Sequence, residues 1–153
     1  MSYIPTKKEF EAIIQQDIDK RVKHFQNRVG GHQCLWLCID NEGNLFSNYD
    51  EKGRECISVW PAKEYAELII AKKDQKLLKK LNIQFFLDEY CDELKENNIY
   101  LMVFPTSDGG ALFNVDDFRN LMEEELAKYG DYDDEHEDNS LEKRLGKNKE
   151  YKD

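Results

Sequence analysis

The chain has 153 residues, of which 40% are hydrophobic and 35% are charged. This length suits a single domain that can bury a proper core, and the composition is that of a globular protein with a strongly solvated surface. The formal net charge of −10 argues against general nucleic-acid binding, because that activity needs cations that displace phosphate counterions. It is compatible with a basic protein partner, since opposite fields speed the encounter of two proteins.

Membrane and redox features of the sequence predict a cytoplasmic protein that makes no membrane contact. No apolar run approaches the roughly 18–20 residues that cross a bilayer, and residues 1–11 lack the basic-then-apolar order of a secretory signal. The four cysteines lie in apolar segments: Cys34, Cys38, Cys56 and Cys91. Cys34 and Cys38 share one face of a predicted strand roughly 13 Å apart, too far for one disulfide or one zinc ion. We expect buried, reduced thiols and neither a metal nor a cofactor.

The first predicted element is a long N-terminal helix. Thr6 and Glu9 have the spacing of a capping box, directly after Pro5. Behind them apolar residues recur at three- or four-residue steps: Phe10, Ile13, Ile14, Ile18, Val22, Phe25 and Val29. This single stripe predicts one helix of roughly six turns that ends at Gly30-Gly31.

Three short strands are predicted next. Residues 33–39, 45–49 and 55–60 are apolar runs separated by glycine-containing turns, a pattern typical of an antiparallel meander. A helical pattern returns at residues 65–72, and a lysine-rich polar stretch follows it.

The second half of the domain is predicted to alternate helices and strands. An amphipathic helix covers residues 85–94, with its carboxylates on a solvated face, and strands cover 99–104 and 112–115. Asp116 can cap a closing helix. The prediction is an α+β fold with about five mainly antiparallel strands, a long N-terminal helix and three further helices.

The C-terminal segment differs in composition from the rest of the chain. Residues 131–138 contain six acidic residues and no lysine or arginine, which leaves too little apolar surface for a core. Their spacing resembles a calcium loop, but His136 stands where that loop needs glycine, so we expect no metal site. We therefore assign residues 1–130 to one domain and 131–153 to a flexible, disordered acidic tail.

Five short blocks of sequence give a family resemblance. They are Arg21-Val22-x-His24-Phe25-x-x-Arg28-Val29, Leu35-Trp36, Val59-Trp60-Pro61-x-x-x-Tyr65-Ala66, Val103-Phe104-Pro105-Thr106 and Glu124-Glu125-Leu126-x-x-Tyr129. In these blocks the chain resembles a small bacterial family known as domain of unknown function 2750, over roughly residues 6–130. The resemblance implies a compact α+β domain and no agreed activity. The chain departs from the family pattern at residues 72–80.

Histidine catalysis finds little support in the sequence. His24 or His32 would have to converge with a nucleophile at a strand end, and no nucleophile motif is present. Aromatic residues give the more positive indication, because one or two of them on an exposed face could anchor a protein partner. The candidate partner-binding residues are aromatics of the sheet region and acids of the tail: Trp36, Trp60, Tyr65, Asp131, Asp133, Asp134 and Glu135.

Two functions follow as hypotheses. The first is a non-enzymatic acidic binding protein of the bacterial cytosol, most concretely an immunity or antitoxin protein that neutralises a basic effector. The alternative is a small-ligand-binding or enzymatic protein with a cleft near the strand ends that uses Trp60, His32 and Thr106. A homodimer is compatible with either. A closed, water-poor cavity in which His32 or His24 touches a cysteine or a carboxylate would overturn the first.

Overall fold

The computed structural model describes residues 3–129 and shows an α+β domain, as expected. The helices and strands in chain order are α1 (Lys7–Ile14), α2 (Ile18–His32), β1 (Cys34–Cys38), β2 (Asn48–Tyr49), β3 (Glu55–Val59), α3 (Lys63–Ala66), β4 (Leu78–Asn82), α4 (Ile83–Glu89), α5 (Cys91–Glu96), β5 (Tyr100–Thr106), β6 (Gly109–Phe113) and α6 (Val115–Leu126). Short 3₁₀ helices cover Lys72–Leu77 and Ala127–Tyr129. Within the described residues, no helix is both long and apolar enough to span a membrane. The predicted tail, residues 131–153, lies outside them.

The predicted long N-terminal helix is in fact two helices, with a break at residues 15–17. Asp17 has an extended backbone, and its side chain accepts a hydrogen bond from the amide of Lys20 at 2.9 Å, which caps the start of α2. An aspartate that caps a new helix inside a continuous apolar stripe leaves the periodicity unchanged. The stripe alone therefore could not locate the boundary.

Gly30 and Gly31, which were expected to end this helix, lie inside α2. The helix continues to His32, and Gln33 takes the left-handed conformation after it, with a φ of 63°. Gly30 serves packing instead, since a Cβ at this position would lie 2.3 Å from Cγ of the buried Glu125 in α6. The missing side chain lets α2 and α6 approach closely.

The strands form two sheets instead of the single five-stranded sheet that the sequence predicted. One sheet pairs β1 with β4 antiparallel, and the other has the strand order β2-β3-β5-β6. In the larger sheet β3 runs parallel to β5, whereas the β2–β3 and β5–β6 pairs are antiparallel. The predicted three-stranded meander is wrong, because β1 leaves that sheet to pair with a strand further along the chain.

Strand β4 forms in the lysine-rich stretch that we interpreted as a polar connection. Leu78 and Leu81 are buried, whereas Lys79 and Lys80 between them are exposed. The two leucines are three residues apart, so the segment lacks the strict alternation that is typical of a half-buried strand. Only the pairing with β1 makes it one.

The Trp60-Pro61 and Phe104-Pro105 blocks of the sequence meet at the carboxyl ends of the parallel strands β3 and β5. An isolated antiparallel bridge joins Trp36 to Trp60, and the amide of each donates to the carbonyl of the other at 2.8 and 2.9 Å. The indole Nε1 of Trp60 also donates to the carbonyl of Pro105 at 2.9 Å. Trp60 therefore fixes the end of β5 relative to both sheets.

Strand β5 has an irregular end. Its register with β6 shifts between Val103 and Thr106, and the φ of Phe104 is 52°, in the left-handed region that residues other than glycine rarely adopt. A Cβ at Gly110 on the opposite strand would lie 2.9 Å from Cα of Pro105, so this position requires glycine. The surrounding packing must hold Phe104 in this conformation, and such positions are often functional.

The core contains side chains from both sheets and from the surrounding helices. Phe118 of α6 lies between Phe25 of α2 and Phe86 of α4, with ring centroids 6.1 and 5.9 Å apart, and all three side chains are fully buried. The four cysteines are buried and free, as expected. Burial raises the pKa of the Cys91 thiol to about 12, which leaves it unreactive near neutral pH.

The closing helix α6 begins two residues earlier than the predicted cap implies. Asn114, and not Asp116, caps it by accepting a hydrogen bond from the amide of Asp117 at 2.7 Å. Asp116 lies in the first turn, where its charge still favours the helix dipole.

Candidate functional site

A group of polar side chains lies where the N-terminal segment and α2 meet the ends of β3 and β5. We call it the tyrosine–histidine cluster, and its members are Tyr3, Glu9, His24, Arg28 and Tyr65. Tyr3 precedes α1, which contains Glu9, and Tyr65 belongs to α3. His24 and Arg28 are one turn apart on α2 and therefore share a face of that helix.

The hydroxyl of Tyr3 is the centre of the cluster. It donates to the carboxylate of Glu9, and it lies 3.0 Å from Nε2 of His24 and 3.2 Å from the hydroxyl of Tyr65. A phenol has one proton to donate, so once that proton is given to Glu9 the Tyr3 oxygen must accept from the other two groups. This valence argument assigns the Nε2-protonated tautomer to His24 and makes Tyr65 a donor to Tyr3.

Glu9 supplies the negative charge of the cluster. Its Oε2 lies 2.9 Å from Nη2 of Arg28 and 3.5 Å from Nε2 of His24. Burial by itself would raise the pKa of Glu9, but the hydrogen bond from Tyr3 and the charge of Arg28 outweigh it, so the pKa is lowered. Glu9 is therefore ionised at neutral pH.

The other three titratable groups are held neutral. Burial lowers the pKa of His24; the charge of Glu9 opposes this shift, and the charge of Arg28 reinforces it. Burial raises the pKa of Tyr65 to about 12, and burial together with the bond to Glu9 raises the pKa of Tyr3 well above its ordinary value. The cluster at neutral pH is thus one ion pair surrounded by neutral donors and acceptors.

Aromatic and cationic groups enclose the ring of Tyr3. The imidazole of His32 stacks on it, with centroids 5.2 Å apart and planes 24° apart. The guanidinium carbon of Arg28 lies 5.0 Å from the ring centroid, in cation–π range. Tyr3 is 6% exposed, whereas the next residue, Ile4, is 71% exposed. The chain therefore inserts one side chain into the domain and turns straight back to the surface.

The base of the cluster is rigid. Tyr65 is fully buried between Phe10 of α1 and Phe104, with centroid distances of 5.2 and 4.7 Å. The guanidinium of the buried Arg21 lies 5.9 Å from the Phe104 ring and donates to the carbonyl of Gly109 at 2.7 Å. These contacts hold the left-handed Phe104 in place and connect α2 to the β5–β6 hairpin.

The arrangement is suited to recognition more than to bond-making. His24 contacts the carboxylate of Glu9. A contact of this kind inside a closed cavity was the observation expected to argue against a non-enzymatic protein. The space beside that contact, however, is filled by Tyr3, and the Nε2 proton of His24 is engaged by it. What this geometry does is hold a phenol by its ring and by its hydroxyl at once.

The structure does not place the predicted aromatic anchors together on one surface. Trp60 and Tyr65 are 2% and 0% exposed, because they fill the junction between the two sheets and the base of the cluster. Trp36 is half-buried, and its Nε1 has no hydrogen-bond partner among the described residues. The predicted anchors Asp131, Asp133, Asp134 and Glu135 lie outside that range.

The three residues of the predicted strand-end cleft have separate roles. Trp60 donates to Pro105, Thr106 accepts a hydrogen bond from the amide of Asp108 at 3.2 Å in the hairpin turn, and His32 stacks on Tyr3. Of these residues only His32 borders the cluster.

Sequence reasoning found His24 but missed its partners. Glu9 had been assigned to a capping box, and Thr6 does accept from the amide of Glu9 at 3.1 Å. The Glu9 carboxylate turns instead to Tyr3 and Arg28. The usable signal was the i, i+4 spacing of His24 and Arg28, which places a histidine and a cation on one face beside the apolar stripe.

A second candidate surface, the acidic cleft, has a volume of about 180 Å³. Glu55 of β3 and Glu93 of α5 line it together with Ser47 and Tyr90, and none of its lining residues within 3–129 is lysine or arginine. Ser47 donates to Glu55 at 2.6 Å, and the Tyr90 hydroxyl donates to the carbonyl of Gly43 at 3.3 Å. The cleft therefore presents two carboxylates from two different elements.

A further cleft of about 200 Å³ is lined by other residues of the β2 and β3 region, among them Asn48 and Ser58. Phe46 and Ile69 line it and are 45% and 41% exposed. Asp74 is also part of its wall. Exposed large apolar side chains that share one concavity are a common feature of protein-binding surfaces.

Comparison with known proteins identifies a family but no activity. No curated protein matches the chain. A solved structure described as Anabaena Tic22 (protein transport) shares 12% sequence identity over 61% of this chain and 49% of that chain, with a TM-score of 0.31, a likeness too low to support any argument. The model of a family described as protein of unknown function (DUF2750) matches residues 22–121, which include His24, Arg28 and Tyr65. Because that match covers more than half of the sequence, the chain belongs to the DUF2750 family.

Proposed function

We propose that this domain is a non-enzymatic binding protein that engages a basic protein through the acidic cleft. The observation that supports this most is that Glu55 and Glu93 both line a cleft whose described lining residues include no cation. The most concrete form of the proposal is an immunity or antitoxin protein of the bacterial cytosol that neutralises a basic effector.

The helices beside the cleft extend its negative charge. Their exposed carboxylates are Asp88, Glu89, Asp92, Glu93 and Glu96. Lys95, the one lysine of α5, is directed to Asp116 of α6 at 3.0 Å and so is not paired with the cleft carboxylates. Asp92 is paired with Arg119 at 3.1 Å. Glu93, which lines the cleft, is exposed to solvent.

Carboxylates that converge from separate elements suit a cationic side chain. A lysine or arginine that enters the cleft would find the carboxylates of Glu55 and Glu93 in its lining. The net charge of −10 would add long-range attraction, which speeds association and weakens as salt screens it.

The test combines partner capture with charge-matched variants. Native lysate is passed over the wild-type protein at low and at high salt, and any basic protein that is retained is purified and its Kd measured by calorimetry. Glu55→Gln/Glu93→Gln removes the cleft carboxylates, and Glu67→Gln/Glu123→Gln removes the same charge from exposed positions elsewhere. We expect the cleft variant to bind at least about tenfold more weakly and the control to bind nearly as the wild type does. Equal losses in both variants, or an empty column at low salt, would contradict the proposal.

The second hypothesis, a small-ligand-binding or enzymatic protein with a site at the strand ends, is favoured by one observation: the contact of His24 with Glu9 beside that edge of the sheet. A substrate there would have to replace Tyr3. The test is whether the full chain converts a small molecule. If it is an enzyme of this kind, His24→Gln should abolish the conversion while the fold stays intact. A homodimer would be compatible with either function, and sedimentation of the wild-type chain tests it.

A further inference from the structure

We propose that the side chains around Tyr3 form a binding site for a 4-hydroxyphenyl group, and that Tyr3 is the displaceable occupant of this site. The inference is independent of the acidic cleft and of any basic partner. It rests on what the walls of the site recognise and on how Tyr3 is connected to the domain.

The walls contact the ring and the hydroxyl of Tyr3, so they recognise the 4-hydroxyphenyl group itself. Glu9 accepts the hydroxyl proton, and His24 and Tyr65 lie at 3.0 and 3.2 Å to donate to the same oxygen. His32 covers one face of the ring, and the Arg28 guanidinium approaches its π-system. Any 4-hydroxyphenyl group that reached this position would find all of these partners.

Tyr3 can leave without taking the walls with it. Residues 3–6 have no regular secondary structure, and Thr6 caps α1 through the amide of Glu9, a contact in which Tyr3 takes no part. The helix α1 is held by other contacts, among them the stacking of Phe10 on Tyr65. Rotation of the chain about Ile4 and Pro5 would therefore free the ring and leave Glu9 in place.

The low burial of this segment favours such local opening. Tyr3 is the one buried side chain of residues 3–17, and Ile4 beside it is exposed. Segments with few buried side chains open at free energies far below that of global unfolding. The walls His24, Arg28, His32 and Tyr65 lie within the part of the chain that the family model matches, whereas Tyr3 and the wall residue Glu9 lie before it.

The source of the phenol could be a free small molecule or a tyrosine side chain of another polypeptide. Both present the same ring and hydroxyl. They differ in what continues beyond the ring, because a tyrosine must also fit its main chain where residues 3–5 now lie.

The experiment vacates the site in the full chain with Tyr3→Ala and measures binding of p-cresol and of toluene by calorimetry and NMR. We expect Tyr3→Ala to bind p-cresol and to prefer it over toluene by about a hundredfold or more, since toluene leaves Glu9, His24 and Tyr65 unpaired. A nonspecific cavity would take both molecules alike. The double variant Tyr3→Ala/His24→Ala should lose most of this preference. Ile4→Ala is the control, and it should bind p-cresol as the wild type does.

The wild-type chain provides the measurement that does not depend on the variant's folding. At p-cresol concentrations that displace Tyr3, the backbone NMR signals of residues 3–6 should move to the positions of a free chain while those of α2 stay folded. N-acetyltyrosine amide in the same titration separates the two sources: if it binds, a polypeptide tyrosine is admitted, and if p-cresol alone binds, the site takes a small phenol. Equal binding of p-cresol and toluene to Tyr3→Ala, or unchanged signals of residues 3–6 at the highest soluble p-cresol concentration, would overturn the proposal.

Discussion

The tyrosine–histidine cluster and the acidic cleft use the same kinds of side chain in opposite ways. In the cluster, Glu9 is paired with Arg28 and hydrogen-bonded by Tyr3. In the cleft, Glu55 accepts a hydrogen bond from Ser47, Glu93 faces solvent, and neither carboxylate has an ion pair within residues 3–129. A carboxylate that is satisfied inside the protein contributes to stability, whereas an unpaired one at the surface is available to a partner. The comparison teaches that charge count alone does not locate a binding surface.

The largest effect is expected from breaking the support of α2, which carries His24 and Arg28. Gly30→Ala places a Cβ 2.3 Å from Cγ of the buried Glu125 and should lower the free energy of unfolding by about 1–3 kcal/mol. Gly31→Ala is the matched control, since its Cβ would meet only the Tyr129 hydroxyl at 3.6 Å. Urea denaturation with an unchanged m-value measures both. Equal stability of the two variants would show that α2 and α6 can separate at no cost.

Neutralising one carboxylate in each region compares them directly. Glu9→Gln should cost about 1–3 kcal/mol of unfolding free energy, because it removes a charged hydrogen bond to Tyr3 and leaves Arg28 without its partner. Glu93→Gln in the cleft should change stability by less than about 0.5 kcal/mol. If Glu93→Gln destabilised the domain as much as Glu9→Gln, the distinction between the regions would fail.

Alkaline pH should weaken the cluster through its phenols. The pKa of Tyr65 is raised from 10 to about 12, so between these values the folded chain binds more protons than the unfolded chain, and stability falls as the pH rises. Tyr65→Phe removes its part of this dependence and one of the late-ionising tyrosines from an ultraviolet absorbance titration, whereas Tyr3, whose pKa is raised further, keeps the other part. Ionisation of every tyrosine near pH 10 in the folded protein would mean that solvent reaches the cluster.

Acidic pH should have a smaller effect in the same region. The pKa of His24 is lowered below 6.5, so from pH 6.5 downwards the unfolded chain takes up the proton first and stability falls with pH. The lowered pKa of Glu9 extends the loss below pH 4.5. The urea midpoint of His24→Gln should therefore depend less steeply on pH between 6.5 and 5 than that of the wild type. A wild-type midpoint that rises on acidification would contradict this sign.

The elements that local pattern determines were predicted well. The strand at residues 99–104 and the closing helix have clear periodicity and the structure confirms both, as β5 and α6. Strand β4 was missed because two leucines within a lysine-rich stretch become a strand only through pairing with β1. The cluster was missed because Tyr3 and Tyr65 are 62 positions apart in the sequence, and neither carries a local sign of the other. Pattern reasoning detects what neighbours in sequence impose, and this site is made by neighbours in space.

The most direct test is an NMR titration of the ring nitrogens of His24 in the wild-type chain. The geometry predicts a neutral imidazole with its proton on Nε2 at pH 7 and a pKa below 6.5, because burial outweighs the attraction of Glu9. A protonated ring at pH 7, or a proton on Nδ1, would contradict the account. With the proton on Nδ1 alone, Nε2 could not donate to the hydroxyl of Tyr3, and with a protonated ring the attraction of Glu9 would outweigh burial.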